Sequence, residues 1–149
     1  MTKAPPTAPK PEAFNSDGFT RTLMRLKDSP TYGKFCEKVY GRDLRQFNAV
    51  DEEQLQKLIS SLRLNSSHSI LDVGCGLGFI SEHLSDLTGA QVTGIDFAGE
   101  IIKSARLRTL QKKDRLKFIE MDFNFLSAEL GPFDFIISID TLYFATDIK

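Results

Sequence analysis

The residues Leu71-Asp72-Val73-Gly74-Cys75-Gly76-Leu77-Gly78 carry the densest chemical signal in the chain. Three glycines at alternate positions allow a tight turn and let a ligand approach the bare backbone. Such a turn between a strand and a helix serves a dinucleotide, a nucleoside or no ligand at all. Spacing helps to decide. A dinucleotide fingerprint reads G-x-G-x-x-G and rests a pyrophosphate on the helix that follows. Here the third glycine is Gly78, and the position where that pattern wants glycine holds Phe79. Asp72, just ahead of the turn, would repel a pyrophosphate and welcome a cation. The turn therefore favours a ligand with an ammonium or sulfonium group.

Two more acids fall at matching places. Asp96 lies twenty residues after Gly76, at the end of a second apolar run. A carboxylate there can accept both hydroxyls of a ribose. Asp122-Phe123 follows a third run, offering an acceptor for an exocyclic amine beside an aromatic wall, which suits adenine. Asp72, Asp96 and Asp122 thus close successive strands, and each suits one part of an amino-acid-bearing nucleoside.

The elements that must position these residues are readable from periodicity. Ile70-Leu-Asp-Val73, Gln91–Asp96, Leu116–Asp122 and Phe133–Asp140 read as strands; Phe79–Leu87 and Ala98–Leu110 read as the helices between them. Strand and helix alternate at βαβ spacing, which predicts an α/β, Rossmann-like doubly wound sheet, mostly parallel, with helices on both faces. Ahead of it, residues 14–65 read as a helical lid or cap. Tyr32, Phe35, Cys36, Val39 and Tyr40 recur at helical spacing up to Gly41, and Asp51-Glu-Glu-Gln54 fits a capping box ahead of Leu55, Leu58, Ile59 and Leu62. Tyr32 and Tyr40 are lid candidates, with core packing the commoner use of such residues. Residues 1–13, holding Pro5, Pro6, Pro9 and Pro11, predict a disordered tail.

With these motifs in place, residues 69–144 resemble the cofactor-binding half of a class I S-adenosylmethionine-dependent methyltransferase. Asp-Val-Gly-Cys-Gly-Leu-Gly78 is similar to that family's first motif and Thr-Gly-Ile-Asp96 to its second; Met-Asp122 and Phe-Asp-Phe-Ile-Ile-Ser-Ile-Asp140 are similar to the looser later ones. The resemblance implies S-adenosylmethionine as cofactor and a strand order of 3-2-1-4. It implies that Gly74, Gly76 and Gly78 line the methionine and ribose portion. By the same resemblance Asp72 helps to hold the ammonium, Asp96 binds the ribose, and Asp122 with Phe123 binds adenine. Asp140 and Thr141 would face the methionine end and the transferable methyl. Cys75 and Phe97 are counted with them as cofactor-binding candidates. The family's sheet has more strands than the four readable here, so residues 66–149 read as the N-terminal portion of the domain. Asp140-Thr-Leu-Tyr143 stands where nucleic-acid and protein amide methyltransferases resemble one another in a Pro-Pro-Tyr type motif. A small-molecule acceptor is the leading class. A cofactor-binding fragment or pseudoenzyme without transfer activity is the alternative, and a nucleotide-binding oxidoreductase is disfavoured by Phe79.

Composition sets the remaining bounds. The chain has 149 residues, 41% hydrophobic, with a formal net charge of −1, so its balance shows no nucleic-acid footprint. Cys36 and Cys75 stand far apart and form no metal-ligand spacing; no metal site is expected. No apolar run reaches a membrane span, and the first residues lack a secretory core, so a cytoplasmic protein is expected. Several residues have plain readings: Cys75 as a small turn residue, His68 and His83 as surface or helix-end positions, Asp134 as structural, and the Arg106–Lys117 basic run as a solvated helix end. The fourth strand is apolar on both faces and would lie at an open sheet edge, which predicts self-association.

Overall fold

The computed structural model describes residues 16–146, and the tail expected over residues 1–13 lies outside them. Three helices come first: α1 (Ser16–Leu26), α2 (Pro30–Tyr40) and α3 (Glu52–Leu62). Their ends follow from local chemistry. Pro30 opens α2 with its preset φ, Ser29 Oγ accepts from the Tyr32 amide at 3.3 Å, and Gly41 closes the helix at φ +79°. The capping box of α3 is present in both directions: Asp51 Oδ1 accepts from Gln54 N at 2.8 Å, and Asp51 N donates to Gln54 Oε1 at 3.0 Å.

The sheet then forms from β1 (Ser69–Val73), β2 (Gln91–Asp96), β3 (Leu116–Glu120) and β4 (Phe135–Ile137), all parallel, in the order β3-β2-β1-β4. Helices α4 (Phe79–Thr88) and α5 (Gly99–Arg108) carry the first two crossovers. Register sets Leu71 beside Thr93 and Ile136, and Gly94 beside Asp72 and Phe118. β3 and β4 are both shorter than the apolar pattern suggested. The runs to Asp122 and from Phe133 to Asp140 leave the ladder early and bend into the loops that carry the site. Helix α5 likewise stops at Arg108, followed by a separate 3₁₀ turn, Leu110–Lys112.

Handedness explains the layers. The two crossovers β1→β2→β3 run in one direction across the sheet, so right-handed connections put α4 and α5 on one face. Leu55 of α3, Ile80 and Leu84 of α4, and Ile102 and Ala105 of α5 form a core there with Ile70, Val92, Leu116, Phe118 and Ile137. The connection from β3 to β4 runs back past β1 and belongs on the opposite face. It consists of 3₁₀ turns rather than an α-helix, and Phe123 and Phe133 from it pack on Leu71, Val73 and Ile95. The topology is doubly wound, but helices on both faces are not found among the described residues, and the second layer is thin. Reversal of direction between β1 and β4 makes a switch point, where α/β sheets open a crevice beyond the carboxyl ends of the strands.

Candidate functional site

A cleft of about 480 Å³ occupies that switch point. Its floor is the turn Gly74–Gly78. The amides of Gly74 and Cys75 both donate to Ile95 O at 2.9 Å, which staples the turn to β2. The three glycines serve different ends. A Cβ on Gly74 would overlap the Thr141 side chain, and one on Gly78 would overlap the Phe118 ring. At Gly76, φ is +54° and a Cβ would meet nothing within 4 Å. The backbone at Gly76 faces open space, as close approach by a ligand requires.

Asp96 is the acid best placed for that space. It is 8% exposed and lines the cleft; its Oδ2 accepts from Gly76 N and its Oδ1 from Ala98 N, each at 3.0 Å. Burial pushes its carboxyl above the usual range, while those two amides pull it back. Asp122 sits two residues past β3, exposed, with Oδ1 held by Asn124 N at 2.9 Å and Asn124 Nδ2 at 2.8 Å. Phe97, Phe123, Asp140 and Thr141 also line the cleft, and Asp140 adopts φ +57°. Thr141 Oγ1 donates to Ile139 O at 3.1 Å.

Asp72 is the exception. It is 3% exposed and is not among the residues that line the cleft. Its Oδ2 accepts from Ser81 Oγ at 2.5 Å, behind the turn. Burial raises its carboxyl to about 6, opposed by the Ser81 hydroxyl and reinforced by the charge of Asp96.

The front segment supplies one wall, through residues other than the two tyrosines named as lid candidates. Phe19 and Leu23 of α1 line the cleft, as do residues 44–48 of the loop after α2. Phe19 meets Phe47 edge-on at 5.5 Å. Tyr32 and Tyr40 do not reach the cleft; they pack around Phe35, and Tyr32 Oη donates to Gln46 O at 2.8 Å. Gln46 is 5% exposed and braces the loop internally, Oε1 accepting from Leu44 N at 3.2 Å and Nε2 donating to Val50 O at 3.3 Å. The Arg45 guanidinium ties the same loop to the carbonyls of Leu26 and Ser29. Phe47, Tyr143 and Phe144 were missed as wall residues. At Phe47 the signal was a large aromatic between Gln46 and Asn48; Tyr143 and Phe144, in an apolar run after the fourth strand, carried no such signal.

Two plain readings need correction and two stand. His83 is buried, not on the surface: α4 turns it toward α3, with Nε2 3.1 Å from Glu52 Oε2. The basic run is largely paired. Lys112 reaches Glu82 at 2.7 Å and Asp86 at 2.6 Å, and Arg115 reaches Asp86 at 2.7 Å. Its Arg108 lies 3.7 Å from the centroid of the Phe79 ring and donates to Leu77 O at 2.8 Å, bracing the turn. Cys75, counted as a cofactor-binding candidate, lines the cleft and also packs against Gly94 as a small turn residue, its thiol pushed well up by burial and by Asp72. Asp134 Oδ2 accepts from Ser69 N at 2.7 Å and Ser69 Oγ at 2.8 Å, a structural role. Among the described residues no helix is long and apolar enough to cross a membrane.

Comparison with known proteins adds the following. A family model described as a methyltransferase domain matches residues 70–149, more than half of the chain. A ubiquinone biosynthesis O-methyltransferase of Xanthomonas euvesicatoria is 35% identical over 104 residues, covering 69% of this chain and 43% of that protein. The chain therefore spans less than half the length of this relative. Among solved structures, an S-adenosylmethionine-dependent methyltransferase from Thiobacillus denitrificans in complex with S-adenosyl-L-homocysteine is 25% identical at a TM-score of 0.58, covering 81% of this chain and 48% of that one. A putative methyltransferase from Methanococcus maripaludis shares the fold at a TM-score of 0.64 and 16% identity, over 96% of this chain and 58% of that one.

Proposed function

Since the chain belongs to the class I S-adenosylmethionine-dependent methyltransferase domains, we propose that its cleft binds S-adenosylmethionine for methyl transfer to an oxygen of a small-molecule acceptor. The observation that carries this reading is the open space over Gly76, bounded by the buried carboxylate of Asp96. The residues present fit the cofactor. Asp96 would accept from the ribose hydroxyls with the lone pairs its two amide donors leave free. Asp122 and the Phe97 and Phe123 rings would hold adenine, and Asp140 with Thr141 would flank the methionine end. The acceptor atom is suggested by the name of the Xanthomonas relative, an O-methyltransferase. A cytoplasmic location accompanies this reading, in keeping with two free cysteines.

When bound, S-adenosylmethionine supplies a methyl group on a positively charged sulfur with a neutral leaving group. The protein's share is then positioning and exclusion of water. Phe19, Leu23 and Phe47 on one side and Tyr143 and Phe144 on another wall the cleft with apolar surface. The acids that line it favour a cation.

Titration with S-adenosylhomocysteine tests the reading. In Asp96→Ala two hydrogen bonds to a charged acceptor disappear, each worth about 1.5–3 kcal/mol. Affinity is expected to fall at least tenfold, since about 1.4 kcal/mol is one decade. Unchanged affinity in a folded variant removes Asp96 from the ribose site. Binding without transfer to an oxygen of any small-molecule acceptor would favour the alternative, a cofactor-binding module.

A further inference from the structure

We propose that Ser81 is a positioning residue for the cofactor: its hydroxyl, bonded to Asp72 across the back of the glycine turn, fixes the turn and keeps that carboxylate ionised beneath the ligand. The inference rests on the cofactor reading above and deepens it. Asp72 lies near the end of β1 and Ser81 in the first turn of α4, so their bond closes a bridge around residues 74–78. Both side chains are buried, Asp72 at 3% and Ser81 at 0% exposure. Neither lines the cleft. A direct salt bridge from Asp72 to a ligand ammonium is therefore not what this geometry offers.

Helix α4 is braced at this end from outside, by Arg108 through Leu77 O and Glu82, and has no side-chain cap of its own. Its N-cap is Gly78, which has no side chain to cap the first turn. The turn it follows contains three residues at positive φ, each with wide conformational freedom in the unbound chain. Ser81 to Asp72 is the side-chain bond that joins the two ends. A buried hydrogen bond to a charged acceptor is among the stronger kinds, and loss of the donor leaves the acceptor unsatisfied.

The same bond bears on the charge, because it opposes the effect of burial. Burial disfavours the ionised form of Asp72 most, and the charge of Asp96 from the end of β2 adds to it; the Cys75 thiol beside it, itself pushed well up, stays neutral. Its strand neighbours, Gly94 on β2 and Ile137 on β4, bring no charge. The Ser81 hydroxyl is the group that favours ionisation, and the carboxyl stands at about 6 with it in place. Without it the carboxyl moves higher and spends more of its time neutral at physiological pH. A neutral Asp72 contributes no field to a cationic ligand.

The test is the pH dependence of S-adenosylmethionine affinity, measured by calorimetry from pH 5 to 8 on the full chain. For the unaltered protein affinity falls as pH drops through about 6, where Asp72 of the free protein takes up a proton. In Ser81→Ala the fall begins at higher pH and affinity at pH 7 is at least fivefold weaker. Ser81→Thr, which keeps the hydroxyl, restores the original profile, and Asp72→Asn abolishes the step near 6. A merely structural Ser81 would weaken binding by one factor at every pH. That result, or an unchanged Ser81→Ala profile, overturns the inference while leaving the cofactor reading intact. If Ser81→Ala does not fold, the Asp72→Asn profile decides alone: a step that survives it overturns the inference. No binding by the unaltered chain at any pH overturns both.

Discussion

At the scale of single residues, the three glycines of the turn separate ligand approach from packing. Gly76 and Gly78 both adopt positive φ, so an L side chain costs about 1–2 kcal/mol at either. Only at Gly78 does the added Cβ also overlap Phe118, which is 3% exposed and closed in by the core. Gly78→Ala is therefore expected to lower the melting temperature well beyond Gly76→Ala. The order reverses for S-adenosylhomocysteine affinity per unit of stability lost: Gly76→Val should abolish binding in a chain that keeps its circular dichroism. Retained binding by Gly76→Val would show that no ligand approaches the backbone there. The glycine pattern was legible as a ligand turn, but the sequence does not say which glycine answers to a ligand and which to a neighbouring ring. That depends on Phe118, forty residues away in the chain, arriving beside Gly78 through the pairing of β3 with β2. For the same reason Asp72 read as a ligand contact. Its burial is set by Ser81 and by strands on both sides, none of which is visible in an eight-residue motif.

At the scale of elements, local chemistry was readable and long-range seating was not. The capping box of α3, the Gly41 stop and β2 from Gln91 to Asp96 are where periodicity and cap residues put them. β3 and β4 end early because their last residues turn away into loops, a choice made by tertiary contacts rather than by apolar pattern. The lid segment shows the same division. Its helices were legible, but the aromatic residues that reach the cleft are Phe19 and Phe47, while Tyr32 works from behind. That arrangement makes a prediction. Tyr32→Phe removes the bond from Tyr32 Oη to Gln46 O, about 1 kcal/mol, and leaves the ring packing in place. The loop 44–48 should exchange its amide hydrogens several-fold faster while the sheet stays protected. S-adenosylhomocysteine should then dissociate faster, by roughly fivefold for about 1 kcal/mol. Unchanged exchange across 44–48 would mean that Arg45 and Gln46 suffice to hold this wall.

At the scale of the whole molecule, β3 and β4 are the two edges of the sheet, and among the described residues no strand pairs with the outer side of β4. Among the described residues β4 pairs only with β1, and its outer backbone groups face away from the sheet. Ile136 is 67% exposed on the face where the β3→β4 connection carries no α-helix. Leu142 and Tyr143, just beyond, are also exposed. A strand edge of this kind, with no proline or lysine from Phe135 to Phe144, recruits another strand. A second copy of the chain offers the same edge and the same apolar side chain, so pairing across a two-fold axis satisfies both. The 149-residue chain is therefore expected to self-associate at tens of micromolar. Ile136→Lys should shift it toward monomer at little cost to stability, because an exposed position away from the core usually changes folding by about 0.5 kcal/mol or less. Light scattering beside thermal melting reads both effects. A monodisperse monomer before any substitution would show that the open edge is blunt, and that the thin second layer shields Ile136 better than its exposure implies.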